Sequence, residues 1–599
     1  MRETILLEKR ETTLAEALKL DEDVPFAVSR VQALRDFEEQ LWQRRSSITA
    51  LVRHHLGLGL GTDGDKDACR VLPQAQWRRG RFNVCVFVSV SVAAGAAKQI
   101  VVFRCPKPHE LFSHGTPSGV AEKMASEVAN YAWIDEHCPD LRIPHLFGFG
   151  LDGQRHYTHV RQLSGLTRSY NQTWRSIHRQ LQRPLVSKFV ENTPAAGALL
   201  DVASAFPYTY MILEFIGLET GQMLSNTFTA HSDPAKMARL SRSIGRAMLA
   251  LARVPLPRIG SLSFCTDGTI SLAGRPVTAA VAIAENENDH EMARRRESQS
   301  ESQSGSPNEN NNQNENQNEN QNGSQNEDPN GTGIRTMARR MPEPTSERES
   351  EQAPGRKSEQ GTNKGPDEDQ NKDQNEDQSK SQNKHAQTAA IPLGAVYDNT
   401  DSFVSDMLTF HDQRLVQQPY AVRDDSDCRF QMAVLAVLRI LAPRYVRPEH
   451  RGGPFVLQFT DLHASNILVD DDWNITCIID LEWMCALPRE MLAVPYWLTG
   501  CTIDIIIDDE YDRFNKVRHA FLQILKEEAE EEEQKRGKDK RVSVDSGREL
   551  HHLLSKMMSD EEENVVSSFW ISDADAFVGR KMKERKAYEE RIRALFADE

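Results

Sequence analysis

Paired cysteines are the first thing this 599-residue chain lacks. Its nine cysteines, an odd number, are scattered from Cys69 to Cys501 with no C-x-x-C pair, so neither a disulfide framework nor a zinc ribbon is indicated and a reducing compartment is the default expectation. Long hydrophobic runs are missing too. The longest, VCVFVSVSVAA from Val84, alternates like a strand and is too short to cross a bilayer. The start, MRETILLEKRETT, puts charge on both sides of a very short apolar run, so no signal-peptide core is expected there. Positive charge is the minority sign: 72 Lys and Arg against 88 Asp and Glu give a net charge of −16, which disfavours non-specific binding to nucleic acid or anionic membrane. The expectation is a soluble protein inside the cell, cytoplasmic or nuclear, with no membrane span and no nucleic-acid partner.

Large apolar residues are almost absent from residues 285–388, where Asn, Gln, Glu, Ser and Lys dominate in repeats such as NENQNENQNGSQNED. Such a stretch cannot bury enough surface to offset its ordering entropy, so a disordered insertion is expected. It separates two patterned regions. They are either two domains or one domain with a long surface insertion, whose closure cost grows only logarithmically with length.

Before the insertion, residues 1–60 carry helical periodicity (Val31, Leu34, Phe37, Leu41, Trp42) and read as a helical extension. From Phe82 the period becomes two: Phe82, Val84, Val86, Val88 and Val90 share a face, AAGAA turns the chain, and QIVVFRC returns, an antiparallel hairpin. The helix VAEKMASEVANYAWIDEHC places Glu127 on its apolar stripe with Val120, Met124, Tyr131 and Ile134. A glutamate facing inward needs a cation. Strands are expected at HLFGFG and YMILEFIG. Between them Arg161, Arg168, Arg175, Arg179, Arg183 and Lys188 form either an anion-binding insertion or a solvated helical face. After the insertion the chain reads as helical up to Phe455 and again from about Tyr511. The C-terminal KMKERKAYEERIRALF is a surface helix or a partner-binding one.

Chemistry concentrates in FVLQFTDLHASNILVDDDWNITCIIDLEWM, residues 455–484. Asp461-Leu462-x-x-x-Asn466 has the spacing of a kinase catalytic loop, in which the Asp meets the attacking hydroxyl and the Asn binds metal. Fourteen residues beyond Asn466, after a strand-turn-strand, comes Asp480, where a kinase holds Mg²⁺ between nucleotide phosphates. A metallohydrolase built on Asp461, His463, Asp480 and Glu482 lacks the expected His-rich ligand set.

The stretch resembles the aminoglycoside phosphotransferase and choline kinase-like family, whose metal motif I-D-[WFL]-[ED] matches IIDLEW. It is most similar to fungal aminoglycoside-phosphotransferase-domain proteins sharing TDLH-x-SNI-x-VD, IDLEW, PYWLTG, a PRIGS segment (Pro257–Ser261) and a GxFN loop. The resemblance covers about residues 70–280 and 390–525. It implies an α+β, bilobal protein kinase-like fold: an N-lobe of antiparallel sheet plus one helix over 61–216, and a mainly helical C-lobe over 217–284 and 389–525. Residues 1–60 and a charged helical 526–599 are extensions, and 285–388 interrupts one catalytic domain. It also implies ATP and Mg²⁺ as cofactors and a small-molecule hydroxyl acceptor.

On that template Asp461 is the catalytic residue, and Asn466 and Asp480 are metal ligands. Gly80, Arg81, Phe82 and Asn83 cover phosphate, while Arg104, paired with Glu127, binds it. The backbone from Glu214 to Ile216 is the adenine hinge. His463 steadies the loop; Glu482 supports the metal or meets a cationic acceptor, as does the cluster Asp504, Asp508, Asp509, Glu510 and Asp512 unless it is an ordinary acidic helix start. Trp483 and Trp497 read as core. Phe459-Thr460 stand where His-Gly is usual, Arg104 where Lys is usual, and the phosphate turn has one glycine. The alternative function is therefore a pseudokinase, a nucleotide-binding or protein-interaction module with partners docking through the insertion or the C-terminal helix.

Overall fold

The computed structural model describes the chain except residues 1–2, 8–9, 21, 59–68, 92–97, 112–117, 152–154, 192–205, 230–232, 288–390, 392–393, 503–504, 507, 537–573 and 598–599. The stretches on either side of the polar segment, Met1–Arg296 and Lys384–Glu599, pack as one compact unit; the disorder expected of 285–388 falls, from residue 288 on, outside the described residues. Every strand pairing between described strands is antiparallel.

The chain begins with a hairpin, β1 (Thr4–Leu7) and β2 (Arg10–Thr13), then a short α1 (Leu14–Ala17), α2 (Val24–Gln43) and α3 (Arg45–His55). Reading all of 1–60 as helical thus misses the opening hairpin. Its period of two is visible in hindsight, since Ile5 and Leu7 are buried while Leu6 is exposed. α2 starts where the Asp23 side chain accepts from Phe26 N–H and Pro25 occupies the first turn.

A central eight-stranded sheet follows, from β3 (Cys69–Val71), β4 (Arg78–Arg79), β5 (Asn83–Val90), β6 (Gln99–Pro106), β7 (Leu146–Leu151), β8 (Arg155–His159), β10 (Phe189–Glu191) and β11 (Tyr210–Glu214), with α4 (Ser118–His137), α5 (Gly165–Gln180) and β9 (Leu185–Val186) between. The expected hairpin is β5 paired with β6, and its five same-face residues Phe82 to Val90 are all buried. Phe37, Leu41, Ile48 and Leu51 of α2 and α3 cover the face bearing Val84, Val86, Phe103 and Ile212. Met124, Val128 and Tyr131 of α4 pack on the opposite side, with Phe149, Met211 and Leu213. Each fully buried side chain of this kind favours the fold by about 1.5–3 kcal/mol over exposure. On α5 and after it, Arg175, Arg179 and Lys188 pair with Glu136, and Lys188 also with Asp135.

The remainder comprises β12 (Gln222–Met223), α6 (Pro234–Ala252), β13 (Ser261–Phe264), β14 (Thr269–Gly274), α7 (Thr400–Gln417), α8 (Asp425–Tyr445), β15 (Val456–Phe459), β16 (Ile467–Val469), β17 (Ile475–Ile478), β18 (Met484–Leu487), α9 (Asp508–Arg536) and α10 (Ala574–Leu595). The strands here form three small antiparallel sheets between the helices, so this half is less purely helical than expected. The expected boundary at 285 shifts slightly, because residues 279–287 are helical and Asn286 and Glu287 are buried. Arg275 fastens both ends of the polar segment: it pairs with Glu285 at 2.6 Å and Glu122 at 3.0 Å, and donates to Ile391 O at 2.9 Å. α10, read from the sequence as a surface or partner-binding helix, packs one face on its own chain, burying Tyr588, Ile592 and Phe596 with Ile5, Leu7, Val24 and Tyr420.

Candidate active site

Four short elements bring the polar residues of the 455–484 stretch together. β15 ends at Phe459, whose ring packs against the core around Leu457, Ile478 and Met484. Thr460 then anchors the turn, its N–H and hydroxyl both donating to Trp483 O at 3.1 and 2.9 Å. A glycine there would make only the first bond, so the two residues that stand in for His-Gly hold the loop by packing and by an added hydrogen bond. Asn466 links the loop to the β16–β17 hairpin: its side-chain N–H donates to Asp461 O at 3.0 Å and its carbonyl accepts from Ile479 N–H at 2.9 Å. Asp480 follows with φ +63°, a left-handed conformation that aspartate tolerates better than most residues and that recurs at functional turns.

α4 supplies the facing wall. Lys123, Glu127 and Asn130 lie at i, i+4 and i+7 and share one face. Asn130 donates to Leu481 O at 2.9 Å. Lys123 Nζ lies 2.5 Å from Glu482 and 3.0 Å from Glu127, and donates to Asn83 Oδ1 at 3.2 Å. Arg104, from β6, contacts Asp480 directly, Glu482 at 3.0 Å and Glu127 at 3.4 Å. The inward glutamate therefore has two cations where sequence reasoning found only Arg104. Lys123 was legible as the i−4 partner of Glu127, the spacing at which opposite charges meet on a helix.

Two cations against Glu127, Asp480 and Glu482 leave one negative charge in excess. Glu482 is nonetheless held ionised: burial alone would raise it, but Lys123 and Arg104 bring its pKa down to about 2. Burial raises Glu127, against the pull of Arg104 and Lys123, and raises Asp480, against Arg104. Asp461 is raised by burial and by Asp480 and Glu482, with His463 opposing. Its carboxylate lies 3.9 Å from His463 Nε2, a weak contact that fits a loop-steadying histidine. Oxygens of Glu127, Asp480 and Glu482 all lie within 4.8 Å of one another, a hard-oxygen set that suits Mg²⁺, and Asp480 is the partly exposed member. Asn466, the other expected metal ligand, borders this set through Ile479 but spends its amide N–H on Asp461.

The expected phosphate turn splits. Asn83 Nδ2 donates to Glu482 at 2.6 Å, whereas the Phe82 ring is spent on packing, edge-on to Trp483 with a centroid separation of 4.9 Å. Gly80 N–H donates to Asn83 O at 3.0 Å, and a Cβ on Gly80 would meet only that oxygen, at 3.9 Å, so sterics do not require the glycine. The charge of Arg81 bears on Glu287, opposing the burial that pushes that carboxyl up to about 7. At the expected hinge, Glu214 N–H is already bonded to His145 O, its carboxylate pairs with Arg142 at 2.6 Å, and Ile216 is half-buried. Trp483 is core, and its indole N–H donates to Glu482 at 3.1 Å; Trp497 Nε1 donates to Leu462 O at 2.7 Å, bracing the Asp461 loop. Of the acidic cluster, Asp504 lies outside the described residues and the others open α9, the ordinary helix start.

A model of the phosphotransferase enzyme family (APH) matches residues 385–490. The matched segment contains Asp461, Asn466, Asp480 and Glu482 and supports a phosphotransferase, kinase-like assignment for this part of the chain; Arg104, Lys123 and Glu127 lie outside it. No curated protein and no solved structure matches the chain. All nine cysteines are unpaired, and no described helix is long and apolar enough to cross a membrane.

Proposed function

We propose that the protein transfers the terminal phosphoryl group of ATP, as its Mg²⁺ complex, to the hydroxyl of a small molecule, in a bilobal kinase-like domain interrupted near 288–390. The observation that carries this reading is the joining of the Asp461 loop to the Asp480 turn by Asn466 and by Thr460–Trp483, inside the family-matched segment. Mg²⁺, when bound, would neutralise phosphate charge. Asp480 and Glu482 would hold it, with Asn466 bordering them. Arg104 stands beside them to meet phosphate oxygens, its planar fork giving fixed geometry where a lysine ammonium would be a mobile point charge. Lys123 helps keep Glu482 ionised and opposes the burial that raises Glu127. Asp461, with its raised pKa, accepts the acceptor hydroxyl's proton as the new O–P bond forms and the bond to ADP breaks.

The test is ADP release from the full chain offered pools of hydroxyl-bearing metabolites. Asp461→Asn is expected to suppress turnover by about 10²–10⁴-fold with nucleotide affinity kept. Mg²⁺-dependent ATP binding without turnover on any pool would instead favour the pseudokinase reading.

A further inference from the structure

A cavity of about 640 Å³ lies beside the expected hinge and holds none of the carboxylates or cations of the candidate active site. Its floor is the segment from Pro139 to Leu146, between α4 and β7, and its far wall carries His159, Arg161, Lys188 and Phe189. The volume is in the range of pockets that hold small organic ligands. Its acids are committed: Asp135 pairs with Lys188 at 2.6 Å, Glu214 with Arg142 at 2.6 Å and Asp140 with Arg253 at 3.6 Å.

The uncommitted groups are donors. Arg161 is exposed and has no carboxylate within ion-pair distance among the described residues. His159 is 2% exposed and its Nε2 has no hydrogen-bond partner among them. Its Nδ1 accepts the backbone N–H of Arg161 at 3.2 Å, so the neutral ring carries its proton on Nε2. Burial keeps the ring neutral, lowering its pKa to about 3. A buried N–H donor without an acceptor is rare in folded proteins and calls for one.

We infer that this cavity is a second ligand site, for a small organic anion whose carboxylate or phosphate is held by His159 Nε2–H and the Arg161 guanidinium, and whose apolar body lies along Leu141, Ile143 and Phe189. The site regulates rather than reacts. Arg142, in its floor, accepts Ile478 N–H at 3.0 Å, two residues before Asp480, and pairs with Glu214 at the hinge. An occupant that shifts this floor therefore acts on both ends of the catalytic cleft through single bonds.

The test is calorimetric titration of the full chain with benzoate and with phenyl phosphate, which separates the carboxylate source from the phosphate one. At least one probe binds with a dissociation constant below 10 mM, on the order expected of a fragment-sized ligand. Arg161→Gln, an exposed change that leaves the fold intact, and His159→Phe, which keeps the ring and removes the donor, each weaken it at least tenfold. Asp461→Asn, a change at the partly exposed candidate catalytic carboxylate that the fold tolerates, leaves it unchanged, which separates this site from the phosphotransfer reading. Absence of binding by both probes, indifference to Arg161→Gln, or loss in Asp461→Asn overturns the inference.

Discussion

The candidate site is assembled from two differently organised regions, one carrying Asp461, Asp480 and Glu482 and the other both cations together with Glu127. Asp461, Asn466 and Asp480 lie within twenty residues, on a loop and a hairpin whose spacing is set by local hydrogen bonds. Arg104, Lys123 and Glu127 come from a strand and a helix more than three hundred residues away in sequence, brought to the acids by packing of α4 between the central sheet and the 478–484 turn. The first arrangement is encoded by offsets, the second by burial. Changes in the acid half should therefore strike chemistry and leave the fold, whereas changes in the cation half should strike the fold first.

The largest expected effect separates the halves directly. Lys123→Met leaves Glu127 and Glu482 buried with Arg104 as their one remaining close cation, and should cost about 3–5 kcal/mol in denaturant unfolding, as breaking a buried ion pair does. Asp461→Asn, by contrast, should leave the unfolding midpoint within about 0.5 kcal/mol of wild type, as a change at a partly exposed site does. Equal losses in the two variants would break the comparison.

Acid should expose a second long-range packing dependence. His55, 0% exposed, bonds Thr158 and Tyr210 and carries α3 onto the sheet; burial, with His54 and His156 adding, holds it well below its usual pKa. Burial lowers His156 to about 4 and His159 to about 3. The unfolded chain takes up these protons near pH 6.5 and the folded one does not, so this stability is full above 6.5 and falls as pH drops, by about 1.4 kcal/mol per unit for each histidine. Asp461, Asp480 and Glu127, raised when folded, act in the opposite direction, as does Glu287, which burial pushes up to about 7, but the buried histidines outnumber the groups that oppose them between pH 7 and 5. Thermal melts between pH 7 and 5 should therefore show a steady decline, and His55→Gln should flatten it.

A smaller effect tests the interruption itself. Arg275 holds Glu285 and Ile391 O together, so replacing residues 288–390 by ten Gly/Ser residues should leave unfolding cooperative and raise stability by up to about 2 kcal/mol, from the shorter loop. Loss of cooperative unfolding would mean that the two flanking regions do not form one unit.

Much of this was legible because its signals are local. The period-two valines gave β5, the Asp461–Asn466–Asp480 offsets gave the loop and hairpin, and Glu127 on an apolar stripe announced a buried charge. The opening hairpin was hidden by its brevity: Ile5, Leu6 and Leu7 are all apolar, so the alternation that appears in their burial has no counterpart in residue type. Asn83 in contact with Glu482 and Thr460 in contact with Trp483 depend on tertiary placement and leave no local trace. Phe82 carries two readings in the sequence, a place on the period-two face and a place in the phosphate turn; its ring is buried against Trp483.

The most direct test of one phosphotransfer centre assembled from both halves is ATP binding, measured with and without Mg²⁺, on the wild-type chain and Asp480→Asn. The account predicts Mg²⁺-dependent binding by the wild type and at least a tenfold loss of the Mg²⁺-dependent part in Asp480→Asn, about 1.4 kcal/mol. Failure of the wild type to bind ATP, or binding that ignores both Mg²⁺ and Asp480→Asn, would contradict it.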